Sequence, residues 1–111
     1  MAARIVEKHQ LAGLDERERG FSRLVEVEQT DGGCRAILRY EALRVETGPA
    51  AGVAAAIEEL IRLLHERGFR QLRSRPSFRG DVYLGSQELW VDYADPARGG
   101  FWRRLLARLG R

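Results

Sequence analysis

Residues Ala50 to Arg67, AAGVAAAIEELIRLLHER, constrain the fold more than any other stretch of the chain. Val53, Ile57, Leu60, Ile61 and Leu64 recur at i, i+4, i+7, i+8 and i+11, one stripe of a period of about 3.6 residues. A stripe of that kind has to be buried, so the helix needs a surface to lie on. On the opposite side Glu58, Glu59, Arg62 and Glu66 stand three or four apart, a solvated face whose ion pairs are worth ~0.2–0.5 kcal/mol each. Pro49 suits the first turn, with Thr47 or Gly48 as the cap. Gly68 stands where a left-handed C-terminal residue is wanted, and Phe69 can fold back on the last turn. No other segment has so strong a helical period, and the remaining apolar residues are expected to form the surface this helix covers.

Ala3 to His9 reads as a short strand through Ile5 and Val6, and Leu11 to Gly20 as a charged loop with one helical turn, leaving residues 1–20 poorly specified. From Phe21 to Thr30, Phe21, Val25 and Val27 share one parity while Ser22, Glu26 and Glu28 share the other, the alternation of a half-buried strand. Asp31-Gly32-Gly33 supplies a tight hairpin turn. Cys34 to Glu46 returns with Cys34, Ala36, Leu38, Tyr40 and Ala42 on one face, and its apolar parity flips at Leu43 and Val45. That flip predicts a β-bulge near Ala42 or Leu43. Beyond the helix, Phe69 to Arg75 reads as a strand that Pro76 ends or pushes to an edge. Val82 to Leu84 and Leu89 to Tyr93 flank Gly85-Ser86-Gln87-Glu88, a second hairpin. Asp95-Pro96 signals a helix start, and Phe101, Trp102, Leu105, Leu106 and Leu109 among four arginines predict a short basic amphipathic helix within residues 97–111.

These elements give a single domain over residues 1–111 of α+β class, two-layered, with a mainly antiparallel sheet of two hairpins packed on one main helix plus a short C-terminal helix. A ferredoxin-like βαββαβ arrangement is the alternative, with Leu11 to Arg19 as its first helix, although that segment has only Leu11 and Leu14 to bury. A chain of 111 residues buries roughly 65% of its unfolded surface, enough for a core without staples. With 44% hydrophobic and 32% charged residues it has the balance of a globular protein. The single Cys34 forms no internal disulfide and shares its parity with buried residues, a small core thiol. No signal-peptide core and no run approaching the ~20 apolar residues of a membrane span are present, so a cytoplasmic protein without an integral membrane segment is expected.

Charge is unevenly distributed. Residues 1–66 hold nine Lys and Arg against twelve acids, a net of −3, while residues 67–111 hold ten Arg against four acids, a net of +6. Such asymmetry suits an anionic partner, and it also arises where Arg is the habitual solubilising residue, Lys8 being the only Lys.

Catalytic chemistry finds no foothold in the sequence. His9 and His65 are the only histidines, and His65 reads as an exposed residue near a helix C-terminus, where the dipole favours its protonated form. No nucleophile–base arrangement, phosphate loop, paired carboxylates or metal-ligand spacing is present, and Arg79-Gly80-Asp81 reads as a turn. A non-enzymatic domain with no cofactor and no metal follows. The candidate site is a face. Gln71, Arg73 and Arg75 share one parity, and Trp90 and Asp92 point away from Leu89 and Val91. If the helix covers the Leu89 side, Trp90 lies on the open side of the sheet with Arg73 and Arg75, and with Ile37 of the first hairpin nearby. An aromatic among arginines suits an interface core or the binding of single strands. The expected function is self-association as a homodimer, or protein binding, through the open face. The alternative is nucleic-acid or polyanion binding through the Arg-rich C-terminal half. Phe101, Trp102, Arg103, Arg104, Leu105 and Arg108 form a second expected contact segment, docked on the protein's own sheet or on a second subunit rather than on a membrane.

Overall fold

The computed structural model describes residues 3–96; the expected C-terminal helix, with Phe101, Trp102, Arg103, Arg104, Leu105 and Arg108, lies outside them. Four strands follow one another at the start, β1 (Arg4–Leu14), β2 (Gly20–Thr30), β3 (Gly33–Tyr40) and β4 (Leu43–Glu46). The helix α1 (Val53–Glu66) comes next, then β5 (Arg70–Arg79), β6 (Val82–Tyr83) and β7 (Val91–Asp92). All seven strands join one sheet in the order β4-β3-β2-β1-β5-β6, with β7 also on β5, and every pairing is antiparallel. The helix therefore carries the chain from the β4 edge back across to the free side of β1. The α+β class expected from the sequence is the class found.

The apolar stripe explains why α1 sits where it does. Ala56, Ile57, Leu60, Ile61 and Leu64 are buried in one cluster with Leu11, Val25, Val27, Leu38 and Leu72 of the sheet and with Phe69 just before β5, and Val53 is partly buried against it. The helix begins three residues later than expected. Gly52 is its N-cap and makes no side-chain capping bond. Thr47 and Pro49 precede it because the linker is tied to β3 instead: Ala36 N–H donates to Thr47 Oγ1 at 2.9 Å, and Cys34 and Ala50 exchange backbone hydrogen bonds. At the other end Gly68 takes φ +99, and the N–H groups of Gly68 and Phe69 donate to His65 O and Leu64 O. This closes the last carbonyls in the way a left-handed terminal glycine allows. Phe69 folds back into the core, its ring 5.5 Å from Phe21 and 6.2 Å from Tyr40.

Four expectations about the strands are corrected. Leu11 to Leu14 is strand, not loop or helix, because β1 is paired on both sides, by β2 and by β5. This also removes the ferredoxin-like alternative, whose first helix needed that segment. The parity flip at Leu43 comes from a chain reversal rather than a bulge: Tyr40 pairs with Leu43 across a two-residue turn, and Glu41 takes φ +56. Val82–Leu84 and Leu89–Tyr93 do not form a hairpin with each other, since β6 and β7 each pair with β5 at separate places. Finally, β5 continues past Pro76 to Arg79.

Proline survives within β5 for two reasons. The register against β1 slips between Lys8/Phe78 and His9/Pro76, placing the ring beside a bulge. Leu72 O accepts from Tyr93 N–H, so by ladder alternation Leu72, Ser74 and Pro76 turn their backbone groups outward. Pro76 therefore faces the gap between β7 and β6, where none of the described residues asks for a donor. The Arg79-Gly80-Asp81 stretch is the turn expected of it, with Gly80 at φ +62.

Candidate ligand-binding face

Residues paired across strands share a face, so the register builds the site. Leu38, Val25, Leu11 and Leu72 lie on the side that meets α1; the alternate residues lie on the other. One cross-strand row on that open face runs Glu46, Ile37, Glu26, Lys8, Phe78, Tyr83 from β4 to β6. A second runs Ser22, Ala12, Arg73, Asp92. Gln10 stands between Leu24 and Arg75 in a third.

The half of the face on β2, β3 and β4 is electrostatically self-contained. Arg39 pairs with Glu26 at 2.8 Å, Arg35 with Glu28 at 3.1 Å and with Glu46 at 2.7 Å, and Arg44 with Glu46 at 3.1 Å. Ile37 lies among these pairs and is only 1% exposed; the apolar stems of its charged neighbours cover it. The placement of Ile37 near Trp90 is corrected here. It shares the face, but three strand spacings, about 14 Å, separate β3 from β5.

The other half is different in kind. The guanidinium carbons of Arg73 and Arg75 each lie 4.5 Å from the centre of the Trp90 ring. Arg75 is held by Gln10, whose Oε1 accepts from Nε at 3.3 Å and Nη2 at 3.2 Å, while Gln10 Nε2 donates to Ser22 Oγ at 2.8 Å. Lys8 Nζ lies 5.5 Å from the centre of the Phe78 ring, which sits 5.2 Å from that of Tyr83. Among the described residues, no carboxylate approaches Lys8, Arg73 or Arg75 within the 4.0 Å of an ion pair. Beside Arg73 a cleft of about 450 Å³ opens between Gly13, Leu72, Asp92 and Tyr93. At its floor Gly13, φ +159, lets β1 and β5 approach closely: a Cβ there would stand 2.8 Å from Leu72 Cδ2 and 2.9 Å from Arg70 O.

The sequence brings Arg73, Arg75 and Trp90 together as expected, although for another reason. Leu89 is 84% exposed, so the helix does not cover it; Trp90 reaches the open side because Asp92, two residues on, pairs with Arg73. Phe78, Tyr83, Lys8 and Gln10 belong to the same face without any signal in the sequence pattern that marks them for it. Phe78 and Tyr83 join the face through the bulge beside Pro76 and the turn at Gly80, two irregularities that parity counting passes over.

Both histidines lie elsewhere. His9 Nε2 is 2.8 Å from Glu7 Oε1 on the helix side of β1. His65 is not the exposed, charge-favouring residue expected. Its Nε2 is buried with no hydrogen-bond partner among the described residues, 3.9 Å from Asp95 Oδ1, and burial pulls its pKa below the usual value against the opposing pull of Asp95. Cys34 is buried and free, as expected. Among the described residues, no cluster of three His, Cys, Asp or Glu is placed to hold a metal, and no helix is long and apolar enough to cross a membrane. In comparisons with protein families, curated proteins and solved structures, the chain matches none.

Proposed function

We propose that this is a non-enzymatic binding domain, and that its working surface is the β1-β5 half of the open sheet face, where it receives an anionic partner. The observation that carries this is the stack of Arg73 and Arg75 on Trp90, with no carboxylate of the described residues within ion-pair distance of either guanidinium. A guanidinium lying against an aromatic ring is oriented by it, and its N–H edge stays available for a planar anion. On β2 to β4 the cations are already spent on Glu26, Glu28 and Glu46, so an incoming anion has nothing to gain there. A heparin fragment, a generic polyanion, should bind the protein at low salt and release as salt rises. Arg73→Ala with Arg75→Ala should abolish that binding while the melting temperature holds. Binding unchanged by the double variant would remove the assignment to this face.

Self-association is a second reading, favoured by a separate observation. Val82, Leu89 and Val91 are 63%, 84% and 51% exposed at the outer edge of β5, away from the Trp90 stack. A homodimer closing over that edge would cover them. Sedimentation of the protein with Leu89→Ser and Val91→Thr should then show a lighter species than the unaltered chain at matched concentration; equal masses would dismiss it.

A further inference from the structure

We infer that the anion received on this face is single-stranded nucleic acid, with Lys8, Arg73 and Arg75 on its phosphates and Tyr83 against its bases; the inference rests on the open-face binding proposed above. Its first support is the interleaving of charge and rings. Each of the three cations lies against an aromatic side chain, Lys8 on Phe78 and both arginines on Trp90. An acidic peptide or a sulfated sugar calls for the cations alone. Bases call for ring faces as well, and stacking on them is indifferent to sequence because every base has a π face.

Spacing is the second support. Arg73 and Arg75 are two residues apart on one strand, roughly 7 Å, a separation suited to successive phosphates of an extended strand. Phe78 and Tyr83 extend the patch towards β6, about 10 Å from β1 across the sheet. Tyr83 is 65% exposed and its ring is backed by Phe78, so a base can lie on it without displacing any of the described residues. Gln10 takes two of the five N–H donors of Arg75, leaving the rest for a phosphate. A duplex fits poorly, because its bases are stacked internally and its major groove admits a helix or a two-stranded ribbon rather than a broad sheet face. Unstacked single strands are what flat aromatic sheet surfaces take up.

The test uses the full chain carrying Trp102→Phe, so that Trp90 is the sole tryptophan. It is titrated with oligouridylate, oligothymidylate, a DNA duplex of the same length and a heparin fragment, following Trp90 fluorescence and the anisotropy of a label. Single strands should bind more tightly than duplex and change the emission of Trp90. Their affinity should fall with salt at a log–log slope of roughly −2, three phosphates at about 0.7 each. Tyr83→Ala should weaken single-strand binding roughly five- to hundredfold without altering that slope. Arg73→Ala should make the slope shallower by about 0.7. Heparin binding that depends on Arg73 and Arg75, with no single-strand binding or with single strands indifferent to Tyr83→Ala, would overturn the nucleic-acid inference and leave the anion face standing. Failure of every probe at low salt would overturn both.

Discussion

The hydroxyl of Tyr40 donates to Asp15 Oδ2 at 2.7 Å, joining the β1–β2 loop to the end of β3 across 25 residues of sequence. Asp15 is fully buried and also accepts from the backbone N–H groups of Arg17 and Arg19 and from Arg19 Nε. The charged loop, expected to hold one helical turn, is folded around one carboxylate. Burial alone would raise the pKa of that carboxylate. The hydrogen bonds from Arg19 N–H, Tyr40 and Arg17 N–H, with the charge of Arg19, outweigh it and hold the group at about 2.

Acid stability should report this directly. A depressed carboxylate pKa stabilises the fold above its ordinary value of 3.8, and the contribution is lost as pH falls through about 2. Urea midpoints measured between pH 5 and 2 should fall steeply for the unaltered protein and less steeply for Asp15→Asn, which should be the less stable of the two at neutral pH. Tyr40→Phe should make the fall smaller and complete it at a higher pH, since one of the bonds favouring the charged form is gone. Parallel curves for all three proteins would deny Asp15 this role.

His65 gives a second pH dependence. Its folded pKa is lowered by burial, so the folded state binds its proton less readily than the unfolded chain. The contribution is present above the ordinary 6.5 and is lost as pH falls below it. His65→Gln should flatten the stability curve just below that value, whereas Asp95→Asn should steepen it by removing a carboxylate that supports the charged ring. An unchanged curve in both variants would mean the buried ring does not titrate as described.

Helix packing sets the largest energetic effect. Leu60 is fully buried and central in the apolar stripe. Leu60→Ala should lower unfolding free energy by about 2–5 kcal/mol. Val53→Ala, at a half-buried position, should lower it by less. Equal effects in chemical denaturation would show that the first turn is packed as tightly as the middle of α1.

The N-terminus of α1 offers a gain. Gly52 caps it with no side chain, no acidic residue stands in the first turn, and a Cβ at Gly52 would meet nothing within 4 Å. Its extended backbone, φ −168, accepts any residue. Gly52→Asp should raise stability by about 0.5–1 kcal/mol through capping and the helix dipole. A lower melting temperature would contradict the open geometry assigned to that position.

What the sequence shows of this fold follows from how locally each element is specified. The α1 stripe, the Asp31-Gly32 turn and the Gly68 terminus carry their causes within a few residues, and all three are found where expected. The strand from Leu11 to Leu14 has one inward apolar side chain, Leu11, beside Ala12 and Gly13; it is strand because two neighbours hydrogen-bond to it, a cause lying elsewhere in the chain. The Glu41-Ala42 turn lacks the glycine or asparagine that positive φ favours, and its Glu41 is met by Arg19 from another loop at 3.1 Å. In the candidate site, parity puts Arg73 with Arg75 and Trp90 with Asp92, and the pairing of Asp92 with Arg73 brings the two sets together. Phe78 and Tyr83 escape notice because a bulge and a two-residue strand set their direction, and Ile37 misleads because ion pairs bury it on the side that lacks a helix.

Pro76 has a consequence for how these molecules behave in a crowd. A strand arriving from a neighbouring chain at the outer side of β5 would need an unbroken series of donors and acceptors between β7 and β6. At the middle rung it meets a ring nitrogen with nothing to give. Short flanking strands and this missing rung together make the edge a poor template, so end-to-end polymerisation by strand addition is discouraged at the very side where Val82, Leu89 and Val91 would otherwise invite it.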